Sequence, residues 1–159
     1  MKLQEAGLLL TFLLGIWNLV CNFRNNKRTT FINTVTSERI KWIQNTRDVI
    51  STLCGRSYYW LMTQDEISQE ESNDVRKEID KLRMLVKLQL NPKSDKDAKI
   101  ISLIDEMPQY TDKQHEEKMK LLLSKIVEES QSLLKDEWDK VRDEAVYGDL
   151  REKDKFYKL

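Results

Sequence analysis

Residues that stop or bend helices are nearly missing from this chain, which has four glycines and two prolines in 159 residues. That scarcity excludes phosphate-binding loops of the P-loop or dinucleotide type, which need several glycines within a few positions, and no such pattern or GxSxG elbow occurs. Cysteine is equally scarce. Cys21 ends an uncharged hydrophobic run and Cys54 lies well beyond it, at a different depth, so no disulfide framework is expected and both read as reduced thiols. The single histidine, His115, lacks a second histidine four residues on, and with two isolated cysteines it makes no metal site. Carboxylates are abundant but sit in charge-balanced runs where solvation is their usual state, and none forms a persuasive acid/base pair. The chain is therefore read as a non-enzyme, with no catalytic residue, metal or cofactor.

Leu, Lys, Glu and Asp are plentiful, and such residues with few turn formers point to an all-α fold of helices joined by short turns. The net charge is zero but unevenly placed. Arg24–Tyr58 carries seven basic and two acidic residues, and the remainder to Leu159 is acidic in compensation. The basic stretch directly follows Ala6–Phe23, AGLLLTFLLGIWNLVCNF, which has no charged residue. As a helix this stretch is about 27 Å long, near the short end of what spans a bilayer core. It lacks the strongly basic leader and the small-x-small site of a cleaved signal. Arg24, Lys27 and Arg28 behind it place the N-terminus outside and the rest in the cytoplasm.

The expected organisation is a short external N-terminus (1–5), a transmembrane helix (6–23), a basic juxtamembrane helix (24–56), a cytoplasmic helical domain (57–150) and a charged tail (151–159). Within the transmembrane stretch, Thr11, Gly15, Asn18 and Asn22 recur at i, i+4, i+7 and i+11, one continuous stripe on a helix. Hydrocarbon cannot satisfy an asparagine amide, whereas other copies of the same stripe can. A homo-oligomer is implied, a tetramer being one arrangement, in which the stripe is either a hydrogen-bonded seam or the wall of a narrow wet pore.

Beyond the stripe, apolar spacing predicts a helix over about 29–53 with Gly55 as its stop, and a further helix start at Ser57–Met62. The polar run Gln64–Asp74 reads as a turn leading to an N-cap at Ser72 or Asp74, ahead of a helix over Val75–Leu90. Ser94 or Asp95 caps the next helix, which Pro108 ends. A long amphipathic helix covers about Asp112–Leu150, with Gly148 closing the pattern.

Four basic residues, Arg39, Lys41, Arg47 and Arg56, interleave with Trp42, Tyr58, Tyr59 and Trp60. Arginine with aromatics can hold phosphates and stack bases, so these four are the candidate anion or nucleotide ligands. The plainer reading is a charged rim around an apolar core.

KRTTFINTVTSERIKWIQNTRDVIS (Lys27–Ser51) directly after the membrane stretch, and LLKDEWDKVRDEA (Leu133–Ala145), resemble a group of small bacterial single-pass membrane proteins. These are similar to membrane effectors of anti-phage defence systems, the Hailong-type channel effector among them. The two stretches cover about a quarter of the chain and contain no catalytic signature. The resemblance implies a protein of the bacterial inner membrane, whose homo-oligomeric pore is opened by a nucleotide or oligonucleotide signal and depolarises the cell. Its partners would be itself, membrane lipid and that signal, with no duplex nucleic acid. The alternative is a membrane-tethered scaffold that recruits a cytoplasmic protein through its last long helix.

Overall fold

The computed structural model describes residues 3–147 and is all helical, with no strand among the described residues. Helix α1 covers Leu3–Thr63, α2 Gln69–Gln89, α3 Asp95–Glu106 and α4 Glu116–Tyr147, with two 3-10 turns, Met107–Tyr110 and Lys113–His115, between α3 and α4. The expected stop at Gly148 and the tail 151–159 lie outside the described residues, as does the beginning of the 1–5 segment.

Three helix boundaries differ from expectation, one of them the start of α4, which is at Glu116 and not at about Asp112. Gly55 does not stop α1, which continues to Thr63. A glycine ends a helix when the backbone turns left-handed there, and Gly55 stays inside the helix with open space where a Cβ would stand. The stretch Ser57–Met62 is thus the last part of α1, not the start of another helix. The remaining difference is at α2, which starts at Gln69, well before the expected cap. Ser68 is the N-cap, and its side-chain oxygen accepts the Glu71 amide proton at 3.2 Å, with Glu70 and Glu71 in the positive first turn. Ser68-Gln69-Glu70-Glu71 has the S-x-x-E pattern of a capping box, hidden in sequence by the polar residues around it. Ser72 is buried inside the helix instead.

Ser94 does precede α3 as its cap residue, in extended conformation. No side-chain hydrogen bond caps this helix. The turn before it is held by Asp97, whose Oδ2 accepts the Asn91 amide proton at 2.8 Å, and by the Asn91 side chain, which accepts from Lys93. Pro108 falls at the start of the 3-10 turn, where its missing N–H costs nothing.

The chain forms two compact units, residues 39–142 and the residues up to 38 with those from 143 on. In the second of these, the Thr36 hydroxyl donates to Glu144 at 3.2 Å. In the unit 39–142 every helix gives one apolar face to a common core. Ile50, Leu53 and Leu61 of α1 meet Leu82 and Val86 of α2, Ile100 and Ile104 of α3, and Met119, Leu122 and Ile126 of α4. A smaller cluster joins Ile43 to Leu134 and Val141, and Trp42 packs against both clusters. Around these cores run ion pairs between helices, Arg39–Glu137, Arg56–Glu78, Lys87–Asp105, Lys96–Asp136 and Lys99–Glu129, and one between connecting turns, Lys113–Asp65. The Lys96 ammonium holds the Asp136 carboxyl below the usual carboxylate range. Most of these pairs are solvent-exposed, Arg39–Glu137 being half-buried, and exposed pairs contribute about 0–1 kcal/mol each, so the apolar core carries the stability and the pairs favour one register.

Replacing Ile104, which is fully buried, by Ala is expected to cost about 2–5 kcal/mol in denaturant unfolding, whereas Leu88→Gln, at a side chain 82% exposed, should change stability by less than about 0.5 kcal/mol. Gly55→Ala is expected to stabilise the chain by about 0.5–1 kcal/mol, because the position is helical and open; a loss of stability would mean that the helix is interrupted there.

Candidate functional site

The helical backbone of α1 turns about 100° per residue, so Thr11, Gly15, Asn18 and Asn22 fall within an arc of roughly 60°. Thr11 donates its hydroxyl proton to the Gly7 carbonyl at 2.9 Å, within its own helix, and so needs no outside partner. Asn18 and Asn22 are exposed, and a Cβ at Gly15 would meet nothing within 4 Å. The polar demand of the stripe therefore comes from the two amides. The apolar side chains around them are exposed as well: Leu8, Leu10, Phe12, Leu13, Leu14, Ile16, Trp17, Leu19, Val20 and Phe23, with Leu8 at 73% and Leu19 at 70%. Among the described residues no helix is long and apolar enough to cross a membrane. Two members of the uncharged stretch, Ala6 and Leu9, have side chains outside the described set. The fold shows a continuous helix through this stretch.

The four basic candidates are not gathered by the fold. All lie on α1 and point to different sides of it, and Arg39 and Arg56 are about 25 Å apart along the axis. Arg39 pairs with Glu137 of α4 at 3.5 Å and Arg56 with Glu78 of α2 at 2.9 Å. Lys41 and Arg47 are exposed, Arg47 beside a groove lined by Gln44, Gln131, Lys135 and Trp138. The aromatic residues between them have fixed duties. Trp42 donates its indole N–H to the Gln89 carbonyl at 3.0 Å, satisfying the end of α2, and Tyr59 donates to Glu71 at 3.0 Å.

Trp60 is different. Its indole N–H is held by the Thr111 carbonyl at 3.1 Å, and the Arg76 guanidinium lies 5.8 Å from its ring centre. Arg83, two turns further along α2, is nearly buried and lines the same pocket as Arg76 and Trp60. Sequence reasoning missed both arginines because they lie in the charge-balanced run of α2. The usable signal is their spacing of seven, which puts them on one face, together with Ile79 between them.

His115 sits in a 3-10 turn, not on the long helix, with its Nδ1 2.5 Å from Asp112 and its ring 5.8 Å from that of Tyr110. No group of His, Cys, Asp and Glu among the described residues could hold a metal ion. Both cysteines are free. Burial pushes the Cys54 thiol up to about 11, so it is a poor nucleophile at neutral pH. Taken together the described residues form an all-helical bundle. No protein family, curated protein or solved structure matches the chain.

Labelling by a thiol reagent at pH 8 is expected to leave Cys54 largely unreacted in the folded chain and to modify it fast after unfolding. The sign is set by the raised value: as pH rises from the ordinary 9.0 toward about 11, the unfolded thiol ionises first and stability is lost. Rapid modification of folded Cys54 at pH 8 would contradict this placement.

Proposed function

We propose that the protein is a homo-oligomeric membrane effector of the bacterial inner membrane. Its α1 helices cross the bilayer side by side with the N-terminus outside, and Thr11, Gly15, Asn18 and Asn22 face one another as a pore or seam. The cytoplasmic bundle responds to a nucleotide signal and opens the pore, depolarising the cell, as an effector of anti-phage defence would. One observation carries the reading: ten large apolar side chains between Leu8 and Phe23 are exposed all round α1 while the amides are confined to one stripe.

Each such side chain gains about 1.5–3 kcal/mol on leaving water, so their joint exposure calls for a cover. Lipid covers the apolar surface at no cost, but it cannot cover Asn18 and Asn22. Identical copies can do so, with amides bonding amides across an axis and Gly15 allowing close approach. The basic candidates fit the same arrangement. Each copy around a common axis would add whichever of them faces that axis to a shared positive rim.

The scaffold alternative has less to work with. Most of the apolar face of α4 is spent inside the bundle, leaving Leu121, Val127 and Trp138 exposed.

Planar-bilayer recordings test the proposal. The wild-type chain is expected to conduct in the presence of added nucleotides, and Asn18→Leu with Asn22→Leu to lower the current by an order of magnitude or more. Equal currents in the double variant, or no current with mononucleotides or oligonucleotides, would remove the pore. Retained cross-linked oligomers without current would leave the seam.

A further inference from the structure

The unit 39–142 contains a pocket of about 170 Å³. It opens between the last turns of α1, the middle of α2, the 3-10 turn after α3 and the start of α4. Ile79, Met107 and Met119 give it an apolar lining, and Trp60 forms one wall. The ring of Trp60 is fixed in orientation by its hydrogen bond to Thr111. Three polar groups are left with capacity at this pocket.

The first is the Ser57 hydroxyl. Ser57 is 2% exposed and lines the pocket, and its Oγ is buried without a hydrogen-bond partner. A serine inside a helix ordinarily bonds the carbonyl four residues back, and a buried hydroxyl with nothing to bond is rare because it gives up water for no return. The second is Arg83. Its side chain is 12% exposed, its Nε donates to the Ile104 carbonyl at 3.4 Å and its Nη1 to Asp80 at 3.0 Å. Those bonds hold the guanidinium in place and leave further N–H donors. The third is Arg76, which lies over Trp60 and has no carboxylate paired with it among the described residues. Two guanidinium groups and one carboxylate leave the pocket with an excess positive charge.

We infer that this pocket binds a small organic anion, its phosphate or carboxylate head between Arg76 and Arg83 and a ring-sized body among Ile79, Met107 and Met119 beside Trp60. The size sets the body: a cavity of roughly 150 Å³ holds a benzene ring, so the enclosed part fits one ring and the charged head sits at the arginines. The charge sets the head, since planar guanidinium groups match the oxygens of phosphate and carboxylate two at a time. Ser57 supplies a hydroxyl that the ligand satisfies. A whole nucleotide is too large to be enclosed, so such a ligand would leave part of itself outside. The site also gives the proposed effector a place to sense a cytoplasmic anion. That consequence rests on the pore reading, whereas binding itself does not.

Titration calorimetry on the full chain in detergent micelles tests the inference with four probes: phenyl phosphate, benzoate, adenosine 5'-monophosphate and inorganic phosphate. Phenyl phosphate or benzoate is expected to bind saturably with Kd at or below about 1 mM, and their ratio tells a phosphate site from a carboxylate site. Inorganic phosphate, lacking the body, should bind more weakly than phenyl phosphate. Arg76→Gln, an exposed position whose loss leaves the core intact, should weaken binding by roughly tenfold. Ser57→Ala should weaken it less while keeping the thermal midpoint. Lys125→Gln, an exposed charge on α4 away from the pocket, controls for net charge and should leave binding as it was. No saturable binding by any probe, or binding that Arg76→Gln and Ser57→Ala both leave unchanged, would overturn the site. Calorimetry needs no bilayer, so its failure is distinct from a failure to conduct.

Discussion

The unit 39–142 depends on the apolar face that the second half of α1 offers to three other helices. Ile50, Leu53 and Leu61 are each nearly inaccessible, and α2, α3 and α4 all bring side chains to them. A twelve-residue helix such as α3 is marginal by itself in water, so its existence is a consequence of that packing. The same holds for α1 between residues 29 and 53, whose threonine, valine and isoleucine content makes it a modest helix former alone. Polar details follow from the burial. Trp42 and Trp60 point their indole N–H groups at carbonyls that would otherwise lack partners, and Asp97 holds the turn into α3.

The first half of α1 solves the opposite problem. Its apolar residues have no face, since they surround the helix, and its amides do have one. A helix of that kind is costly in water and costly in hydrocarbon, for different side chains in each case. The proposal of a lipid-embedded homo-oligomer removes both costs with a single arrangement. The pocket at Trp60 then lies in the unit that such an arrangement would leave in the cytoplasm, where small organic anions are plentiful.

Much of the local structure was legible beforehand. The 3.6-residue repeat of apolar positions located α2, α3 and α4 to within a turn or so at most ends, and proline marked the end of α3. The early start of α2 was misjudged because glutamate and serine around Ser68 look like loop, although the same residues are what a helix N-terminus needs. Gly55 was misjudged because a glycine's meaning depends on the backbone angle it adopts, and Ile50, Leu53, Leu61 and their neighbours keep that backbone helical. Of the candidate site, the stripe in α1 was readable because all its members sit on one helix. Basic residues interleaved with aromatics in sequence need not meet in space, and Arg39 and Arg56 hold helices together through Glu137 and Glu78.

What the sequence determined by itself is local: that the chain is mostly helical, which residues share a face, and that Thr11, Gly15, Asn18 and Asn22 form a line. These are local properties, set by a fixed rotation per residue. Only the tertiary structure decided which charges find carboxylates, that Ser57 is buried without a bond, and that Arg76 and Arg83 of α2 stand beside Trp60 of α1. Those facts depend on which helices become neighbours and in what register. That is settled by how side chains of particular shape fill a shared core, and no spacing along a single strand of sequence encodes it.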